Sequence, residues 1–133
     1  MIPIASPNAP KAAPFLSPAI LSGQTLYLSG QCGVDPASGE FVPGTVGDRT
    51  RRAMANIDAL LRAAGMTLGD IVSVQIFLSA YTRDFEAMNE AYMQAFEGYS
   101  PLPARYCVGV AALPKGTDVE ISAIAVKRTE ATL

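Results

Sequence analysis

From Asp48 to Ala64 the apolar side chains fall at Ala53, Ile57, Leu60, Leu61 and Ala64, while Arg51, Arg52, Asp58 and Arg62 lie off that face. The spacing predicts an amphipathic helix with Gly65 as its C-terminal stop. A second helical pattern follows: Phe85, Met88, Tyr92, Ala95 and Phe96 recur on one face before Gly98, Asp84 and Glu86 suit a first turn, and Thr82 is positioned to cap it. Elsewhere the pattern is that of strands. Gln24 to Gln31 contains Thr25-Leu26-Tyr27-Leu28-Ser29 behind a Leu21-Ser22-Gly23 turn, and Ile71 to Leu78 is a β-branched run with the composition of a buried strand. Arg105 to Val110 and Val119 to Lys127, joined by Leu113-Pro114-Lys115-Gly116-Thr117, supply two more, and Pro18 to Leu21 adds an early one. Val34 to Glu40 reads as a surface loop on its Asp-Pro and Ser-Gly pairs. Pro3, Pro7, Pro10, Pro14 and Pro18 fix too many backbone angles for a helix, so residues 1–18 read as an extended arm that packs rather than folds.

This order predicts one sheet with helices on one face, in a single domain over residues 1–133. Half the residues are hydrophobic and 17% are charged, which leaves few charges to solvate the other face. That face is therefore expected to pack against partner subunits in a closed cyclic oligomer.

Composition then removes whole classes of chemistry. Ten basic and twelve acidic side chains give a net charge of -2, so no broad cationic face is available for nucleic acid. The two cysteines are too few for a disulfide framework, no secretory leader pattern is present, and the apolar runs fall short of the roughly 20 residues that cross a bilayer, so a cytoplasmic protein without membrane partners is expected. Histidine is absent, which takes away the usual metal ligand and the usual acid/base near neutrality. There is no phosphate-cradling glycine loop and no GxSxG elbow, and the only lysines are Lys11, Lys115 and Lys127, in polar or turn-like surroundings. What remains is chemistry with no metal and no cofactor.

Two charges interrupt otherwise apolar strands. Arg105 shares a strand face with Cys107 and Gly109, and Glu120 shares one with Ser122, opposite Val119, Ile121 and Ala123. Each must pair, face water or line a pocket, because an unpartnered buried charge costs several kcal/mol. On these residues alone a structural ion pair or an exposed edge is the commoner explanation than an active site.

Further positions carry a resemblance. Asn8-Ala9-Pro10, Leu28-Ser29-Gly30-Gln31, Thr50-Arg51-Arg52-Ala53-Met54-Ala55-Asn56-Ile57, Leu60-Leu61 and Ala64-Gly65, and above all Pro103-Ala104-Arg105, Val108, Ala111, Leu113-Pro114 and Val119-Glu120-Ile121, are similar in type and spacing to the RidA/YjgF family of reactive intermediate deaminases. The resemblance spans most of the chain. It implies a chorismate-mutase-like α+β fold, with a mixed sheet of about six strands and two helices on one face, assembled as a homotrimer with pockets between subunits. It also implies hydrolysis of imine and enamine acids such as 2-aminoacrylate to a 2-keto acid and ammonia. Arg105 matches the arginine that holds the substrate carboxylate, for which its planar fork is suited. Glu120 matches the acid that positions the attacking water and takes its proton. Cys107 matches a cysteine on the Arg105 face, read as substrate contact or as a small packed hydrophobe, and Gly30 matches a position where backbone approaches the ligand.

The arm departs from the family. Where well-known members carry a tyrosine, Pro14-Phe15-Leu16-Ser17-Pro18 puts Leu16 or Phe15, losing a hydroxyl and favouring bulkier, more apolar substrates. A pathway-specific deaminase of an aminomuconate-like or 3-aminoacrylate-like intermediate is the alternative enzyme, and a trimer that binds small carboxylates or client proteins without turnover is the non-catalytic one. Tyr106 alternates away from Arg105, and Asn89 and Tyr92 are candidates for a pocket rim that packing explains as well. Arg49, Arg51 and Arg52 form the one basic cluster, and a solvated helix face accounts for it.

Overall fold

The computed structural model describes residues 1–128. Six strands and two α-helices follow one another in it: β1 (Ile2–Ile4), β2 (Ala19–Ser22), β3 (Thr25–Cys32), α1 (Val46–Ala63), β4 (Ile71–Leu78), α2 (Tyr81–Ala95), β5 (Ala104–Gly109) and β6 (Val119–Val126). The strands form one sheet in the order β1-β2-β3-β6-β4-β5. Only β4 and β5 run parallel, joined across α2, and β6 fills the gap that the α1 crossover leaves between β3 and β4. The result is the mixed α+β architecture expected from the element order.

Both helices cover the same sheet face. Ala53, Met54, Ile57, Leu60 and Leu61 of α1 and Met88, Ala91 and Tyr92 of α2 are buried, and so are Val74, Ile76 and Leu78 of β4 and Val119, Ile121, Ala123 and Ala125 of β6. Each large aliphatic side chain in this layer contributes about 1.5–3 kcal/mol by leaving water. The other face carries Tyr27, Phe77, Tyr106, Val108, Ile124 and Val126, half-buried or exposed, with Phe77 and Tyr106 meeting edge to face at 6.3 Å. Tyr106 therefore turns away from Arg105, as strand alternation requires.

Three local expectations change. The proline-rich arm contains a strand: Ile2 and Ile4 pair with Leu21 and Ala19, and Pro3 is accommodated because β1 is the sheet edge, where a missing N–H donor breaks no ladder. Helix α1 starts earlier than Asp48, at Val46, because Thr45 and Asp48 form a reciprocal capping box. Thr82 does not cap α2. The helix begins at Tyr81 with Ala80 as a cap that makes no side-chain hydrogen bond, and the Tyr81 and Phe85 rings, 5.2 Å apart, pack along its first turns. The link from Leu113 to Thr117 is a single helical turn, Pro114–Gly116, with Lys115 at φ 52° and Gly116 at φ 74°.

One ion pair ties α1 to the start of β6. Arg49 donates from Nε and Nη2 to the two carboxylate oxygens of Asp118, both at 2.8 Å, and both side chains are largely buried. Gly33 permits the approach, since a Cβ there would lie 2.6 Å from the Arg49 backbone. Burial pushes the Asp118 carboxyl up, but the Arg49 guanidinium outweighs it and holds the group below its ordinary 3.8. A carboxyl depressed in the folded state stabilises the fold above the unfolded value and loses that contribution as pH falls through the folded one. Denaturant midpoints of the wild-type chain should therefore drop on acidification below about pH 4, and Asp118→Asn, less stable at neutrality, should show a shallower drop in that window.

Candidate functional site

The two charges singled out in the strands have different surroundings. β5 is an edge strand whose Arg105 and Cys107 pair with the buried Val74 and Ile76 of β4, so both side chains turn toward the helices. Phe85, Asn89 and Tyr92 fall on one face of α2 and meet Arg105 there. Its Nη1 donates to Asn89 Oδ1 at 2.7 Å, and its guanidinium lies 4.7 Å from the Tyr92 ring centroid and 6.0 Å from that of Phe85. Among the described residues no carboxylate pairs with it. The Tyr92 hydroxyl beneath is buried without a hydrogen-bond partner, and burial pushes its pKa up against the opposing effect of Arg105. Cys107 packs against the core, and burial likewise raises its thiol.

Glu120 belongs to the opposite face. It alternates with the buried Val119 and Ile121 and pairs with Phe77 of β4 on one side and Cys32 of β3 on the other. A bulge between Leu28 and Gln31 sets Gly30 against it, so close that a Cβ on Gly30 would lie 2.8 Å from the carboxylate carbon and 2.9 Å from Oε2. The Cys32 thiol donates to Glu120 Oε2 at 3.6 Å. Burial, followed by the charge of Glu120, pushes that thiol up to about 12. Cys32 also borders a cavity of about 520 Å³ lined by Val34, Phe41, Pro114 and Lys115.

The arm ends beside this second cluster. Ser29, the residue before Gly30, donates its hydroxyl to the Ser17 carbonyl at 2.6 Å and its N–H to the Pro18 carbonyl at 2.9 Å. Phe15 and Leu16, just upstream, are exposed at 84% and 45%.

The structure thus brings Arg105 together with Cys107, and Glu120 together with Gly30, but does not bring the two groups together in one chain. Two strand spacings, about 10 Å, and the thickness of the sheet lie between their attachment points. Asn89 and Tyr92, which packing could have explained, prove to be the seat of Arg105. Cys32 was not expected at the site, and only the β3–β6 register, which pairs it with Glu120, would have shown it.

The residues from 6 to 127 match the family model described as endoribonuclease L-PSP. The chain belongs to the endoribonuclease L-PSP, or RidA/YjgF, family. Within this family it is 46% identical over 124 residues to the 2-iminobutanoate/2-iminopropanoate deaminase of Capra hircus, covering 93% of this chain and 88% of that protein. It is 41% identical over the same length and the same shares to the Homo sapiens protein of that name. The crystal structure of E. coli TdcF with bound serine superposes with a TM-score of 0.91 at 36% identity, covering 96% of this chain and all of that one.

The ribonuclease name of the RidA/YjgF family finds no free cationic surface here in the one basic cluster. Arg49 is bound to Asp118, Arg51 to Asp48 and Gln94, and Arg52 to Asn56. Among the described residues no group of three or more histidine, cysteine or acidic side chains is placed to hold a metal ion, and no helix is long and apolar enough to cross a membrane.

The contact at Gly30 gives a direct expectation. Its backbone is not left-handed, so alanine is compatible with the strand, but the added methyl must displace the Glu120 carboxylate. Gly30→Ala should fold like the wild type by circular dichroism and lose about ten- to a hundredfold in kcat on whatever substrate uses Glu120, the cost expected of a misplacement near 1 Å.

Proposed function

We propose that this chain catalyses hydrolytic deamination of 2-imino and 2-enamine acids to 2-keto acids and ammonia. The observation that carries the proposal is the state of Arg105: a guanidinium fixed by Asn89 and Tyr92 and paired with no carboxylate among the described residues, in a relative of imine deaminases. Such a fork is ready to take a substrate carboxylate by two parallel charge-assisted hydrogen bonds. The serine in the name of the TdcF structure, a small amino acid with a carboxylate, agrees in size and charge.

Glu120 supplies the second group. A water held on its free carboxylate oxygen adds to the C2 carbon of the iminium, the C–O bond forms as the C=N π pair moves to nitrogen, and the water proton goes to the carboxylate. Return of that proton to nitrogen makes ammonia the leaving group, and as the C–N bond breaks the carbinol hydroxyl gives its proton to the freed carboxylate, leaving the ketone. The iminium carbon is electrophilic from the start, so alignment of water and substrate accounts for the rate and no step calls for a metal or cofactor. Enamines enter by protonation at C3.

Because Arg105 and Glu120 occupy opposite faces of one sheet, a pocket holding both draws them from different subunits. The uncovered apolar face with Tyr27, Phe77, Tyr106 and Val108 supports such an assembly, as a closed homotrimer. Cys107 then borders the carboxylate end, Gly30 the water end, and Leu16 or Phe15 at the arm favours larger side chains than the small family substrates. The test generates 2-aminoacrylate in situ with a serine dehydratase, and bulkier imines with an amino-acid oxidase, and follows imine decay. Acceleration is expected for both, greater for the bulkier imines. No acceleration of any imine by a folded trimer would overturn the assignment.

A further inference from the structure

We infer that the Cys32 thiol is a positioning residue for Glu120, holding one carboxylate oxygen so that the other is presented to water. The inference rests on the reading of Glu120 given above and assigns a role to a side chain that this reading leaves idle. A glutamate side chain on an otherwise apolar sheet face has three free torsions, and a carboxylate that directs a water must lose them. Two contacts in the structure remove that freedom. Gly30 closes one side, with no room even for a methyl group between its backbone and the carboxylate. From the neighbouring position of β3, directly opposite Glu120 in the register, Cys32 donates S–H to Oε2, which leaves Oε1 as the acceptor for water.

The chemistry of the thiol suits a donor and not a nucleophile. Burial and the facing Glu120 charge, with Asp118 adding to both, keep the proton on sulfur throughout the neutral range, where it can serve as donor. An aliphatic side chain at this position would fill the same space and hold nothing. Cys107, on the other face beside Arg105, does not share this role.

The test compares Cys32→Ala, Cys32→Val and Cys32→Ser with the wild-type oligomer. The alanine and valine variants should lose about tenfold in kcat with KM unchanged, since the carboxylate end of the substrate is bound elsewhere, and serine, which retains a donor, should recover most of the loss. A purely packing role predicts the reverse order, with valine best and serine worst, and that result would overturn the inference. So would a change confined to KM. A readout independent of turnover is the S–H stretching band lost in Cys32→Ala: hydrogen-bonded to a carboxylate it should be red-shifted and should move back in Glu120→Ala, which removes the acceptor. An unmoved band would reject the contact. A moved band in a protein that turns over no imine would instead retain the contact and reject the assigned reaction.

Discussion

Glu120→Gln should lower kcat by about 10²–10⁴-fold, the range expected when a positioned general base is removed, while KM for the imino acid changes little. The amide keeps the size and most of the contacts of the carboxylate, including acceptance of the Cys32 S–H, but it cannot take a proton from water. The fold should not suffer, because Glu120 lies on the sheet face away from the helices and none of its partners belongs to the buried aliphatic layer. The measurement is steady-state imine hydrolysis beside thermal unfolding and sedimentation of the variant. Near wild-type turnover in a folded oligomer would remove Glu120 from the mechanism.

Arg105→Ala should act on the other end of the substrate. Truncating one partner of a hydrogen-bonded charge pair costs about 2–5 kcal/mol, which corresponds to a fall in kcat/KM of roughly thirtyfold to several thousandfold, appearing first as a raised KM. Arg105→Lys should restore little of it. The lysine ammonium cannot present two parallel N–H groups, stack its charge on the Tyr92 ring and donate to Asn89 at once. A discriminating readout is competitive inhibition by a small 2-keto acid, whose carboxylate should be lost as a binding determinant in Arg105→Ala and retained in Glu120→Gln. Equal inhibition of both variants would show that Arg105 does not bind the carboxylate.

Much of this architecture was legible in the chain. The apolar periods of α1, β4 and β6 identify the elements and their buried faces, and the alternation on β6 correctly turns Glu120 away from Val119, Ile121 and Ala123. β1 was not legible, since a proline in a three-residue stretch argues against a strand until the edge position is known. The cap of α2 failed for a related reason: Thr82 has the right chemistry, but the Tyr81 and Phe85 rings pack together across the first turn and carry the helix two residues further back.

At the site, strand alternation places Arg105 beside Cys107 but does not say which side of the sheet that face takes. On hydrophobicity alone Tyr106 and Val108 of β5 should face the helices. The structure leaves them 53% and 41% exposed and tucks Arg105 beneath α2. The inversion makes physical sense when the Tyr106 face is covered by another subunit, so that both faces of β5 are interior. Cys32 stayed hidden because its importance lies entirely in register, eighty-eight residues away from its partner in sequence.

The separation of Arg105 and Glu120 on opposite sheet faces gives the central claim its sharpest test. Arg105→Ala and Glu120→Gln chains, each strongly impaired alone, are unfolded together, refolded as a mixture and assayed for imine hydrolysis. If every pocket takes Arg105 from one subunit and Glu120 from its neighbour, each mixed trimer contains one intact pocket, and random assembly should restore about a quarter of wild-type activity. A mixture of hybrid trimers, verified by mass, that stays as impaired as its parents would contradict a pocket shared between subunits.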